Sequence, residues 1–285
     1  TREGKENGMG ERGQGSQAGG KRNKGSLGLG RAARRLTMAI NWFYPQTVPT
    51  RIQGRGLAED NFAHESRTSL EILIREALQN PLDARDVESN VPVRVTFRLL
   101  KCAELSATYF PKLLDDEYVT RLCASTDDPP PLDFTTSSVL VVEDFGTTGL
   151  LGSFKDPNVN GDQENWNAFW FREGEGAKAG AGSNGRAGQG KITYYRISAA
   201  RAVFGFTVRV KDRAKLLMGR SSFRKVYSYK GKNFERDAFW CVRADDAAHP
   251  LKETTEIDAF RSACGVRPIA EPGTSIGIPV PQDFD

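Results

Sequence analysis

Three short stretches of this sequence carry side chains whose types and spacing could do chemistry together. The first is Arg75-Glu76-Ala77-Leu78-Gln79-Asn80-Pro81-Leu82-Asp83-Ala84. Glu76, Asn80 and Asp83 stand at i, i+4 and i+7, so a helix would line them along one stripe. A carboxylate and an amide oxygen one turn apart suit Mg²⁺ and a water, because Mg²⁺ takes hard oxygen ligands and keeps waters of its own. On its own the same stripe is the pattern of a solvated helix face. The second stretch is Val139-Leu140-Val141-Val142-Glu143-Asp144-Phe145-Gly146-Thr147-Thr148-Gly149-Leu150. An apolar strand there delivers Asp144 into a glycine turn, where its carboxylate can accept a hydrogen bond from an adenine amino group. Gly146 and Gly149 let the backbone come close to a ligand. Alone, this is also a strand-ending turn. The third is Gly185-Arg186-Ala187-Gly188-Gln189-Gly190-Lys191, at the start of an expected helix. Free N–H groups at a helix N-terminus bind phosphate, and Lys191 adds charge.

The elements that must position these residues follow from hydrophobic periodicity. Leu70, Leu73, Ile74, Ala77 and Leu78 form one apolar face of a helix. Pro81 removes a backbone donor and is expected to kink that helix just after Asn80. Val93, Val95, Phe97 and Leu99 alternate with polar residues as a half-buried strand. Residues 111–124 read as one short helix opened by Pro111, and Val139 to Val142 as a short buried strand. Seven glycines in residues 172–190 predict a mobile loop, preceded by a small helix at Trp166 to Phe171. A helix is expected over 189–200, strands near 202–210, 222–229 and 238–243, a helix near 254–263 and a last strand near 274–280. This order implies an α+β fold, a two-layer α/β sandwich with a mixed, largely antiparallel sheet.

Bulk composition narrows the function classes. The 285 residues are 38% apolar and 27% charged, as in a globular protein with some disordered sequence. No apolar run reaches the roughly 18 residues of a membrane span, and no signal peptide is legible. Cys102, Cys123, Cys241 and Cys264 are far apart and only two histidines occur, which argues against a zinc site and for free thiols in a reducing cytoplasm. The net charge of +4 is uneven: residues 1–37 carry nine Lys/Arg against three Asp/Glu, with ten glycines. Such a segment buries too little surface to offset ordering entropy, so residues 1–37 read as a disordered basic tail and 38–285 as the folded domain.

Taken in order, the three motifs resemble the GHKL superfamily, the Bergerat-fold ATP-binding domain of gyrase, heat-shock chaperones, histidine kinases, MutL and MORC proteins. That family has an E-x-x-x-N-x-x-D-A helix, then D-x-G-x-G, then G-x-x-G-x-G. Gly273-Thr274-Ser275-Ile276 looks like its late Gly-Thr strand. The resemblance implies that Glu76 is the general base for the attacking water, that Asn80 holds Mg²⁺, and that Asp83 belongs to the ATP-binding set. It implies that Asp144 reads adenine with support from Thr274, and that Gly185, Gly188, Gly190 and Lys191 close over the phosphates in a lid of about residues 151–190. The implied activity is Mg-dependent ATP binding and slow hydrolysis, with lid closure coupled to conformational change or dimerisation through regions outside this chain. The glycine turn departs from the family in reading D-x-G-x-x-G, one residue longer than usual.

Rival readings are weaker. Gly185-x-x-x-x-Gly190-Lys191 is nearly a P-loop, but Ile192 stands where a Mg²⁺-binding hydroxyl is needed. Asp144-Phe145-Gly146 copies a kinase motif with no kinase catalytic loop upstream. His64 echoes a histidine-kinase acceptor box, yet lies only 12 residues before Glu76. A nucleotide-gated binding module, serving a client protein or nucleic acid without turnover, remains as the non-enzymatic alternative, and Glu76 is the feature that separates the two. Deleting residues 1–37 is expected to leave melting temperature and ATP binding unchanged, since the segment has no apolar periodicity. Thermal melts and calorimetry on the shortened chain check this, and a large fall in melting temperature is the contrary result.

Overall fold

The helix that carries Glu76 and Asn80 begins at a capping box. The Thr68 hydroxyl accepts the Glu71 N–H at 3.2 Å and the Glu71 carboxylate accepts the Thr68 N–H at 2.9 Å. From there α1 runs Ser69–Asp83, burying Ile72, Leu73, Ala77 and Pro81. Pro81, expected to kink the helix, sits buried in its last turn, and the helix continues to Asp83. The computed structural model describes residues 40–48, 68–101, 109–133, 138–156, 164–172, 190–244, 247–252, 255–266 and 271–282. The basic segment 1–37 and His64 lie outside the described residues.

The fold is α+β, built on a large sheet. The strands are β1 Ile40–Phe43, β2 Arg94–Lys101, β3 Ser138–Phe145, β4 Ala202–Val208, β5 Lys215–Ser222, β8 Asp237–Ala244 and β11 Gly273–Pro279, in the spatial order β1-β8-β5-β4-β11-β3-β2. Two short strands, β9 Ala247–His249 and β10 Leu251–Lys252, pair with β8 and β5. A separate hairpin joins β6 Tyr227–Tyr229 to β7 Lys232–Phe234. Every pairing among the described strands is antiparallel, so the expected mixed sheet is wholly antiparallel here. The strand expected near 222–229 is instead the end of β5 followed by that hairpin.

Helices cover both faces of the sheet, which corrects the two-layer expectation. On one face α1, α4 (Asn165–Trp170) and α5 (Gly190–Ile197) pack Leu73, Ala77, Trp166, Trp170, Tyr194 and Ile197 onto Leu140, Val142, Met218 and Ile276. On the other face α2 (Tyr109–Leu113), α3 (Asp116–Ala124) and α6 (Thr255–Ala263) pack Phe110, Tyr118, Leu122 and Phe260 onto Val139, Val141, Phe204 and Phe206. Consecutive β3 residues thus feed opposite cores, as an apolar run buried on both sides must. The single helix expected over 111–124 is two, because Asp115 caps the second: its side chain accepts the Tyr118 N–H at 2.9 Å. Among the described residues no helix is long and apolar enough to cross a membrane.

Part of the segment expected to form a lid belongs to the core. Trp166 and Trp170 are fully buried, and the Trp166 N–H donates to the Leu151 carbonyl at 2.8 Å. The buried Arg220 guanidinium holds α4 from below, donating to the Trp170 carbonyl at 2.7 Å and pairing with Asp237 at 3.0 Å. Its charge also lies over the Tyr195 and Phe239 rings. Burial alone would raise the Asp237 carboxyl; the Arg220 and Arg236 guanidiniums outweigh it and hold the group below the usual carboxylate range. A carboxylate with a lowered folded pKa stabilises the fold above its unfolded value, and that contribution fades as pH falls through the folded value. Arg220→Met is therefore expected to destabilise the protein at pH 7 by roughly 2–3 kcal/mol. That falls short of the 3–5 kcal/mol of a fully buried pair because Asp237 keeps some solvent access. Urea melts at pH 7 and near pH 3.5 check it: the deficit should shrink at low pH, and an equal deficit at both would mean that lost packing, not the unpaired carboxylate, is responsible.

Candidate functional site

The site is built around the last residues of β3. Antiparallel registers align Thr207 of β4, Thr274 of β11, Asp144 of β3 and Val95 of β2 in one row. The row belongs to the face that α1 and α5 cover, so Asp144 points beneath the helix pair rather than into the opposite core. Its neighbour Glu143 points the other way, buried and bonded by Arg98 and Ser275.

Asp144 is held by one oxygen. The Thr147 hydroxyl and the Thr274 N–H, the latter at 3.1 Å, both donate to Oδ1. Among the described residues no hydrogen bond reaches Oδ2, which is left as the acceptor for a ligand. Loss of solvent around the half-buried carboxyl raises its pKa to about 6, against the lowering effect of those two bonds, with a further push from Glu143. Thr274 is supported in turn: the Thr207 hydroxyl donates to the Gly273 carbonyl at 2.9 Å, accepts the Leu150 N–H at 3.0 Å and lies 3.4 Å from the Thr274 hydroxyl.

Two glycines are required by this arrangement. A Cβ at Gly273 would stand 2.2 Å from the Asp144 carbonyl oxygen, so no side chain fits where β11 crosses the end of β3. Gly149 has φ +68°, and a Cβ there would meet the Val208 carbonyl at 2.5 Å. The turn from Gly146 to Gly149 is stitched to the end of α1: Thr148 N–H donates to Ala84 at 2.8 Å, Asp86 N–H donates to Gly146 at 3.2 Å, and Arg85 bridges to Thr147. The end of the helix motif and the glycine turn therefore form one body.

The helix that carries Glu76 and Asn80 packs on α5 and its Tyr194. This tyrosine is buried in the same core cluster as Leu73 and Ala77 of α1. Burial first, and then the Asp144 carboxylate, push its phenol well above the ordinary value, so it stays protonated. Glu76 is half-buried and Asn80 exposed. Asp83 is exposed on the last turn of α1, and among the described residues no hydrogen bond or ion pair draws it toward the others. Gly146 and Gly149 are in place in the turn. Gly190 and Lys191 are the first two residues of α5, with Gly190 one turn before Tyr194 on the same face. Gly185 and Gly188 lie outside the described residues.

Sequence reasoning missed Tyr194, Thr147 and Thr207. Thr207 had a signal, as the lone hydroxyl in the fully buried strand AVFGFTV. Thr147 had one too, since a hydroxyl three residues after an aspartate at a turn can bond back to it. Tyr194 had none, because it reads like any core aromatic. No protein-family model matches this chain, and no curated protein matches it either.

The raised Asp144 pKa has a sign that can be tested. A carboxyl whose folded pKa lies above its unfolded value weighs against folding at higher pH. The penalty is absent below about 4, grows as pH rises toward about 6, and is fully present above that. Asp144→Asn keeps an acceptor for Thr147 and Thr274 but removes the charge. It should raise Tm at pH 7 by a few °C, where about 2–4 °C corresponds to 1 kcal/mol in a domain of this size. The gain should vanish near pH 4; melts across that range that show no gain at pH 7 would contradict the assignment.

Proposed function

We propose that the chain carries a GHKL-type, Bergerat-fold domain that binds Mg·ATP and hydrolyses it slowly. The observation that carries this reading is the Asp144 carboxylate. One oxygen accepts from Thr147 and Thr274, and the other is left to accept from an exocyclic amino group. An adenine amino group is such a donor. Support also comes from the backbone bonds that join the end of the Glu76 helix to the glycine turn after Asp144, since these belong to motifs far apart in sequence.

The residues present fit a magnesium ion only in part, and in a telling way. Among the described residues no cluster of three His, Cys, Asp or Glu could hold a metal alone. Asn80 offers one hard oxygen and Glu76 lies one turn earlier, which suits Mg²⁺ held chiefly by substrate phosphates and water. When bound, the ion neutralises phosphate charge. Asn80 would hold that ion through its amide oxygen, and Glu76 would take a proton from the water that attacks the terminal phosphate. Thr274 and Thr147 fix Asp144 so that Oδ2 stays turned to the base. The first N–H groups of α5, with the Lys191 charge, form the phosphate-binding end of the cradle. The lid role assigned to residues 151–190 is confined by the burial of α4 to the stretch after Arg172, of which residues 173–189 lie outside the described part. A homodimer, a client protein or a nucleic acid remains the expected partner class for a domain of this kind.

Calorimetry with a non-hydrolysable ATP analogue and a phosphate-release assay test the proposal side by side. Asp144→Asn should weaken analogue binding by about 1.5–3 kcal/mol. With Oδ1 committed to its two donors, the new amide N–H₂ faces the adenine amino group, donor to donor. Glu76→Ala should bind as wild type but lose on the order of 10²–10⁴-fold in turnover. A wild-type chain that binds no analogue in Mg²⁺ sinks the reading. A Glu76→Ala variant that turns over normally leaves the nucleotide-gated binding module in its place.

A further inference from the structure

We propose that β2, at the edge of the large sheet, pairs antiparallel with β2 of a second copy of this chain, joining two sheets into one across a twofold axis at Phe97. This contact is independent of the nucleotide reading, and it lies inside the domain rather than in regions outside this chain.

Among the described residues β2 pairs with β3 alone, so its other side is a sheet edge. Natural edges are blunted by short strands, by proline or by charged side chains. β2 runs eight residues, Arg94–Lys101, and contains no proline. Its two arginines point away from α1, where Arg98 donates to Glu143 and to the Gly265 carbonyl and Arg94 lies over the Phe145 ring. The α1 face of the strand carries Val95, Phe97 and Leu99, and its single charge there is Lys101, the last residue. Val95 packs against the core beneath α1, whereas Phe97 and Leu99 are exposed.

α1 extends the same patch. It packs over β2 and β3, while α5 lies beside it over β4 and β11. The flank of α1 that meets α5 is the one that buries Ile72. Ile74, Leu78 and Leu82 stand on the opposite flank, one turn apart and all exposed, so they overhang the free edge of β2. Five large apolar side chains thus gather where one strand edge is open, which marks an interaction surface.

Charge decides in favour of a second copy. A twofold axis normal to the sheet pairs residues of the same face, so it passes through a residue and not between two. Two positions of the axis overlap seven residues of β2, Arg94–Leu100 or Val95–Lys101. The second sits on Arg98 and sets that arginine against itself, with like charges directly opposite. The first sits on Phe97. It sets Arg98 against the partner's Thr96 and Arg94 against the partner's Leu100, so no charge meets its like. On the other face Val95 meets the partner's Leu99, and the two Phe97 rings pair at the axis. The Ile74–Leu78–Leu82 flanks of the two α1 helices then lie on the same side of the joined sheet, facing one another above the new strand pair.

Sedimentation velocity over a concentration series, with hydrogen exchange at both ends of that series, tests this on the full chain. Wild type should sediment at twice the chain mass when concentrated, and its β2 amides should exchange more slowly there than when dilute. Phe97→Lys puts two ammonium groups face to face on the axis and should stay monomeric throughout, with the near-UV circular dichroism of the folded chain, because Phe97 is exposed. Leu78→Lys, on the helix flank, should weaken association without touching the strand. Val48→Lys, an exposed position beside β1 at the opposite edge of the sheet, should dimerise as wild type. A wild type that stays monomeric overturns the proposal: fast β2 exchange would leave the edge to a different protein, and slow exchange would mean that another segment of the same chain covers it. A dimer that survives Phe97→Lys, or that leaves β2 exchange unchanged, overturns it too, since the contact would then lie elsewhere.

Discussion

Strand β11 lies between β3 and β4 in the sheet, and its first two residues pair with the end of β3. The Thr274 N–H that the Asp144 carboxylate accepts, the carbonyl that Thr207 steadies, and the missing side chain at Gly273 all belong to that one pairing. Without it Asp144 would keep only the bond from the Thr147 hydroxyl in its own turn. With it, one oxygen is committed and the other has a defined orientation. Burial of the carboxyl makes Asp144 weigh against the stability of the fold at neutral pH.

The helices serve this point in two ways. The end of α1 is sewn to the Gly146–Gly149 turn by backbone bonds, so the stripe of Glu76 and Asn80 is set relative to Asp144 without help from side chains. On the other side α4 and α5 are clamped by the buried Arg220, whose single charge is shared among a carbonyl, a carboxylate and two aromatic rings. Tyr194 stands where these two bodies meet. The site is therefore a junction between a backbone-stitched half and a charge-clamped half.

The α+β class was legible in the sequence, and the arrangement of its helices was not. Glu76 and Asn80 were readable because helical spacing alone puts them on one stripe, and Thr274 because it follows a glycine at the start of a strand. Helices on both faces were not foreseen, although β3 held the clue. Val139 to Val142 has no polar alternation, and such a run needs two apolar partners rather than one. Trp166 and Trp170 were read as part of a lid because the sequence around them is rich in glycine and asparagine, whereas their own bulk decides where they go. Asp115 was the signal that divides α2 from α3, a capping residue hidden inside an apparently continuous helix. Asp83 fits the stripe by spacing alone, and spacing says nothing of whether a neighbour will come to meet it.

The central place of β11 has a consequence for how the protein is made. The bond between Asp144 and Thr274 spans 130 residues, and the strand that supplies it is the last of the sheet to be synthesised. While the chain grows, β3 and β4 must leave open the slot that β11 will fill, or pair with one another and be forced apart later. Contacts of such long range close slowly, and exposed strand edges during that wait invite mispairing with other chains. A ribosome-bound chain that has emerged only as far as β10 already holds every residue of the Glu76 helix and the glycine turn, yet has only Thr147 to hold Asp144. The row of Thr207, Thr274 and Asp144 thus cannot close before β11 is free, and the earlier strands must find their places without it.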